Sequence, residues 1–225
     1  MADQQEQKRL AAEQAVARVS SGMILGLGSG STAAVAVGLI GYKLRTGEIE
    51  NIAGIPTSNQ TRDLAQSHGI PLTTLEERPI VDLTIDGADE VDPAGNLVKG
   101  GGGALLWEKI VAAASRRYII IVDKSKLVDR LGSGCAVPVE VMPFGWTTHL
   151  HAVRELGGEP NLRTDAEGKP WVTDGGHYIL DCRFSGGLSD PVQVDRELRK
   201  RPGVVETGLF IGMSPEVIVG RAVRA

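Results

Sequence analysis

Only two of the 225 residues are cysteine, Cys135 and Cys182, and they do not form a C-x-x-C pair. That spacing argues for neither a disulfide framework nor a zinc site, and it suits a reducing compartment. Histidine is scarce as well. His68, His149, His151 and His177 have no ligand partner at a recognised metal spacing, and His149 and His151, two apart on a predicted helix, point to different faces. Long hydrophobic runs are missing: none approaches the roughly 20 residues needed to span a bilayer. The opening MADQQEQKRLAAEQAVARV is charged and amphipathic and lacks the apolar core of a signal peptide. The expectation is a soluble, cytoplasmic chain with no membrane partner. Excess positive charge is absent too. With 24 basic against 28 acidic residues, a net charge of -4 and no basic cluster beyond Arg199, Lys200 and Arg201, the chain has no field for nucleic acid.

What is present is a hydrophobic content of 42%, enough to bury a substantial core. The first half alternates helical and strand-like segments, the pattern of a parallel sheet with crossover helices. A helical stripe runs from about residue 3 to 20 and Gly22 ends it. MILGLG reads as a buried strand, and AAVAVGLIGYKLR as a helix with Ser31 or Thr32 placed to cap it. NIAGIPTS and PIVDLTIDGADEVD read as strands entering polar loops. NQTRDLAQSHG is a helix closed by Gly69, ALLWEKIVAAAS is another helix, and RYIIIVDKSK is an apolar strand that breaks into charge at Asp123. From about Leu131 prolines multiply and short alternating runs such as HYILDCRF suit an antiparallel sheet, with GWTTHLHAVRELGG and DPVQVDRELRKRPG as its helices. The fold class expected is α/β: a Rossmann-like, mostly parallel sheet domain over residues 1–130 plus 206–225, carrying a smaller inserted α+β domain over 131–205. No repeat or low-complexity segment is evident.

Three loops could carry chemistry. GLGSGST, Gly26 to Thr32, joins a strand to a helix; glycines allow the tight turn, and hydroxyls and unpaired helix N–H groups would receive an anion such as phosphate. It completes neither the dinucleotide fingerprint nor a P-loop, and a purely structural turn is the other reading. DGADEVD crowds Asp86, Asp89, Glu90 and Asp92, which suits binding of hydroxyls, a cation or basic neighbours, or else a solvated acidic turn. In VKGGGGALLWEK four glycines follow Lys99, either as flexible loop or because backbone must approach something closely. Glu108 is expected in the second turn of the next helix with Ala104, Leu105, Val111 and Ala112 around it; that apolar face would raise its pKa toward working pH, the alternative being an exposed glutamate paired with lysine. Taken together these strand ends suit a small, phosphorylated polyhydroxy compound.

With GSGSTA at 28–33, TSNQT at 57–61, DGADEVD at 86–92, KGGGGALLWEK at 99–109, DKSK at 123–126 and GLF at 208–210 in order, the chain resembles type A ribose-5-phosphate isomerases over nearly its whole length. The resemblance implies interconversion of D-ribose 5-phosphate and D-ribulose 5-phosphate through an enediolate, with no cofactor and no metal. It implies Ser29, Gly30, Ser31 and Thr32 as a substrate-binding loop and Asp86, Gly87, Ala88 and Asp89 holding sugar oxygens. Lys99, Gly100, Gly101 and Gly102 would line the reacting end, Lys126 would bind substrate, and Lys8, by a looser match, would approach the phosphate. Glu108 would be the proton acceptor, Asp86 would assist ring opening and Lys99 would stabilise the enediolate. A homodimer or homotetramer is implied as well. Trp107 stands where relatives often carry a basic or polar residue, and Gly103 extends the usual glycine triplet. Two rivals remain: a non-catalytic sugar-phosphate sensor, which would not need Glu108, and a nucleotide-dependent dehydrogenase, for which Glu48 or Glu50 would have to contact the ribose.

Overall fold

The structure, a computed structural model, describes residues 2–220. The chain forms two compact units, one made of residues up to 88, 107–126 and from 214, the other of 89–106 and 127–213. The second unit thus includes 89–106, 127–130 and 206–213, which lie outside the 131–205 span expected for the smaller domain. Strands and helices of the described residues are numbered in chain order.

In the first unit β1 (Ile24–Leu27), β2 (Ala53–Pro56), β3 (Leu83–Asp86), β6 (Tyr118–Val122) and β12 (Glu216–Val219) form one sheet in the order β12-β6-β3-β1-β2, and every pairing in it is parallel. Strands β3 and β6 are buried at each residue. That is why YIIIV reads as a continuous apolar run rather than an alternating one: both faces of a parallel sheet are covered. Helices α1 (Ala2–Val16) and α2 (Ser31–Thr46) cover one face. Ala11, Ala12, Ala15 and Val16 of α1 and Ala36, Val37 and Ile40 of α2 recur at helical spacing and meet Leu25, Leu27, Leu83, Ile85, Ile119 and Ile121 in one core. Each of the large aliphatic side chains contributes about 1.5–3 kcal/mol by leaving water. On the other face Val111 of α4 (Leu105–Ala113) packs with Ile55 and Val81. Helix α3 (Asn59–Ser67) follows β2, and the Ser58 side chain caps it by accepting the Thr61 N–H. Gly69, at φ +73°, follows its end as expected.

Local details differ from expectation. Helix α1 ends at Val16 rather than near residue 20, and β3 begins at Leu83, so the residues before it are not strand. Helix α2 has Gly30, at φ +88°, in the N-cap position, and no side chain caps it. Ser31 is its first residue, and the Ser31 hydroxyl accepts instead from Lys8 Nζ at 2.9 Å.

The second unit is antiparallel. Strands β7 (Val137–Val141), β8 (Gly158–Leu162), β9 (Tyr178–Phe184) and β10 (Val204–Thr207) lie in the order β10-β7-β9-β8. With helices α5 (Thr148–Glu155) and α6 (Pro191–Arg199) they enclose a core that includes Val137, Val139, Val153, Leu180, Cys182 and Leu198. Pro191 sits at the start of α6 behind an Asp190 cap that accepts the Gln193 N–H. A small sheet of β11 (Leu209–Phe210), β5 (Leu97–Val98) and β4 (Glu90–Val91) completes the unit. No helix among the described residues is long and apolar enough to cross a membrane.

Candidate active site

In the first unit the carboxyl ends of β1, β2, β3 and β6 lie along one edge of the sheet and lead into Ser29, Thr57, Gly87 and Asp123. The turn after β1 is tied to the end of β3: the Ser29 N–H donates to Asp86 Oδ1 at 3.1 Å, and the Gly87 N–H to the same oxygen at 2.7 Å. Only glycine permits this approach at position 28, because a Cβ there would stand 2.3 Å from Asp86 Oδ1 and 2.5 Å from its Cα. The Ser29 hydroxyl is within 2.8 Å of Thr57 Oγ1 and Ser58 Oγ and 3.1 Å of Thr61 Oγ1, and Thr61 Oγ1 donates to the Gly28 carbonyl. This network makes the loop a built structure. It also shows what sequence reasoning missed: Thr57, Ser58 and Thr61 frame the turn, and the cue was the TSNQT motif opening a helix. A Cβ on Gly87 would lie 3.9 Å from Thr32 Cβ and 4.0 Å from the Ser29 carbonyl, so Gly87, with Ala88 next in the chain, borders the same turn. Lys8 adds positive charge at the start of α2, where the helix dipole already favours an anion.

Glu108 lies on α4 and is 4% exposed, so the exposed-glutamate alternative is excluded. It stands in the first turn rather than the second, because the helix starts at Leu105. The end of α4 fixes its direction. Ser115 bridges Val81, ahead of β3, and the Arg116 N–H donates to the Val81 carbonyl at 2.8 Å. The helix therefore runs back along the sheet, and its beginning, with Glu108, belongs to the carboxyl edge. Lys126 closes the 3-10 turn Lys124–Lys126 after β6, at that edge. Burial pushes the neighbouring Asp123 carboxyl up, but hydrogen bonds from Ser125 and Gln4 and the Lys126 charge outweigh it and hold it below the usual carboxylate value.

In the second unit Lys99 follows β5 and is 2% exposed; its N–H donates to the Gly208 carbonyl at 2.9 Å and its ammonium lies 5.6 Å from the centre of the Phe210 ring. The glycines after it form an ordered turn. Gly100 and Gly103 have φ of +94° and +86°, the Gly103 N–H donates to the Gly100 carbonyl at 2.9 Å, and the Gly101 N–H to Asp89 Oδ2 at 2.8 Å. The flexible-loop alternative fails on this geometry.

The acidic stretch separates into distinct tasks. Asp86 holds the β1 turn and Asp89 the glycine turn. Glu90, 2% exposed, accepts the N–H groups of Gly132, Gly134 and Cys135 at 2.5, 2.6 and 2.9 Å, and Asp92 accepts the Asn96 N–H at 2.8 Å. Backbone amides offset the crowding of negative charge at Glu90 and Asp92. His149 and His151 diverge as expected: His149 is buried, and His151 pairs with Glu155 at 3.3 Å on the surface. Among the described residues no group of three or more histidine, cysteine, aspartate or glutamate side chains is arranged to hold a metal ion.

Ligands of open parallel sheets bind beyond the carboxyl ends of the strands. The first unit is accordingly that of an α/β protein whose carboxyl-edge loops, with their hydroxyls, glycines and Lys8, form the candidate ligand site. The model of one family, Ribose 5-phosphate isomerase A (phosphoriboisomerase A), matches residues 53–223. A ribose-5-phosphate isomerase A of Thermosynechococcus vestitus is 47% identical over 219 residues, 97% of this chain and 92% of its own. A solved D-ribose-5-phosphate isomerase in complex with phospho-erythronic acid is 40% identical with a TM-score of 0.93, covering 96% of this chain and 95% of the other. The ribose 5-phosphate isomerase A of Methanocaldococcus jannaschii is 40% identical with a TM-score of 0.89, covering 95% and 94%. This chain belongs to the ribose 5-phosphate isomerase A family.

Proposed function

We propose that the protein is an aldose-ketose isomerase that interconverts D-ribose 5-phosphate and D-ribulose 5-phosphate. The observation that carries the chemistry is the burial of Glu108 in the first turn of α4, since a carboxyl kept from water at the ligand-binding edge of a sheet is a candidate proton carrier. Glu108 removes the C2 proton of the opened aldose and returns it at C1, while the proton of the C2 hydroxyl passes to the C1 oxygen. The enediolate between these steps is negative, and Lys99 with the N–H groups of the glycine turn stabilises it. Asp86 assists ring opening, and Gly87, Ala88 and Asp89 hold sugar oxygens with it. Ser29, Gly30, Ser31 and Thr32 take the substrate from the β1 side, Lys8 approaches its phosphate, and Lys126 binds it from the β6 side.

Moving a proton between adjacent carbons changes no net oxidation state, so the reaction calls for no redox cofactor, and the scheme requires no metal. A cytoplasmic homodimer or homotetramer completes the reading. The test is ketose formation from ribose 5-phosphate by purified protein without added cofactor or metal, repeated with Glu108→Gln. We expect turnover in the first case. In the second we expect a loss of roughly 100- to 10,000-fold in kcat with binding retained. Binding without turnover by the unaltered protein would favour a sensor, and an undiminished Glu108→Gln rate would remove Glu108 from the mechanism.

A further inference from the structure

Within the second unit the glycine turn has a support that lies far from it in sequence. Arg163 follows β8, and its guanidinium is gripped by Asp181 of β9: Nε donates to Oδ2 at 2.9 Å and Nη2 to Oδ1 at 2.5 Å. Such a fork fixes the plane of the guanidinium, leaving no freedom for its remaining edge. That edge carries Nη1, which donates to the Gly100 carbonyl at 3.1 Å and the Gly101 carbonyl at 3.2 Å. Trp171 locks the assembly from another side. The Arg163 Cζ lies 5.6 Å from the centre of its ring, and a Cβ on Gly103 would stand only 2.0 Å from the same ring. The Trp171 N–H donates to the Arg163 carbonyl at 2.9 Å.

A trans peptide is planar, with its C=O and the following N–H pointing in opposite directions. Turning the Gly100 carbonyl toward Arg163 therefore directs the Gly101 N–H away from it, and that N–H is the one found on Asp89 Oδ2. By the same geometry the Gly101 carbonyl, held by Arg163, directs the Gly102 N–H away from the guanidinium. Gly102 is exposed, and its N–H has no acceptor among the described residues. We propose that Arg163, oriented by Asp181, is a positioning residue for the isomerisation, holding the peptide between Gly101 and Gly102 so that the Gly102 N–H faces the enediolate oxygen. The inference rests on the isomerase reading and on the glycine turn lining the reacting end. Its physical basis is preorganisation: a donor aimed in advance at developing charge costs nothing to reorient during the reaction.

The experiment uses the full chain and three variants, Arg163→Lys, Arg163→Met and Asp181→Asn, with initial rates measured over a range of ribose 5-phosphate concentrations and urea midpoints measured alongside. A lysine keeps the charge but cannot grip Asp181 with two bonds while meeting two carbonyls. We expect kcat to fall by roughly 10- to 100-fold in both Arg163 variants while KM stays within about threefold, because the donor serves the transition state more than the substrate. Asp181→Asn should fall less, and free guanidinium added to the assay should restore part of the Arg163→Met rate, which a purely structural loss would not allow. Folded Arg163 variants that retain full kcat, or that raise KM alone, overturn the positioning role. Failure of the unaltered protein to form ketose refutes the isomerase reading itself, a result distinguishable from the first.

Discussion

Replacing the glycines of the turn one at a time separates two reasons for having them. At Gly103 the backbone is left-handed, at φ +86°, and an added methyl would stand 2.0 Å from the Trp171 ring. The left-handed conformation costs a residue with a side chain roughly 1–2 kcal/mol, and overpacking against a fixed ring adds roughly 1–3 kcal/mol. Gly103→Ala should thus lose about 2–5 kcal/mol, a large part of the roughly 5–15 kcal/mol that a domain has in all. At Gly102 neither cost applies: φ lies outside the left-handed region and nothing is within 4 Å of the added methyl. Gly102→Ala should leave stability unchanged or raise it by about 0.4–1 kcal/mol, through a less free unfolded chain. Its effect should appear in catalysis, since a methyl between backbone and substrate displaces the reacting carbons by about 1 Å, worth on the order of 100-fold in kcat/KM. Urea unfolding and ketose formation, measured on both variants, read the two effects independently. A Gly103→Ala protein as stable as the original would refute the conformational argument. A Gly102→Ala protein with unchanged kcat/KM would refute the idea that glycine is kept there for close approach of substrate.

Two further predictions concern the second unit. His149 is buried and accepts a hydrogen bond from Arg201 Nε at 3.3 Å; burial, then the Arg201 charge, holds its imidazole pKa below the ordinary value. The unfolded chain then binds the proton more readily, so this residue's contribution to stability is complete above about pH 6.5 and is lost as pH falls from there toward the depressed folded value. Urea midpoints at pH 7 and pH 5.5 should differ less in His149→Gln than in the unaltered protein, and equal differences would refute the assignment. Burial pushes the Cys182 thiol up to about 12, and the side chain is fully enclosed. A thiol reagent at pH 8 should modify Cys135 in the native protein and reach Cys182 only on unfolding, as mass spectrometry of the labelled peptides can establish.

Much of this architecture could be read from the chain because its causes are local. The run YIIIV needs two covered faces, the alternation in HYILDCRF needs one covered face, and glycine at positions 100 and 103 answers a backbone conformation that other residues adopt at a cost. The motifs drew attention to these loops for the same reason: hydroxyls, carboxylates and glycines suit tight turns and anions wherever they stand together. The partner of each group was beyond that reach. Asp86, Asp89, Glu90 and Asp92 have the same chemistry within seven residues, yet the fold ties one to the β1 turn, one to the glycine turn, one to amides 42–45 residues away and one to Asn96. Nothing in the sequence linked Arg163 to the Gly100 carbonyl, 63 residues away. The α2 cap and the turn occupied by Glu108 were misjudged because helix ends depend on how the chain enters them. A side chain's identity limits the bonds it can form, and the path of distant segments through the folded chain selects among them.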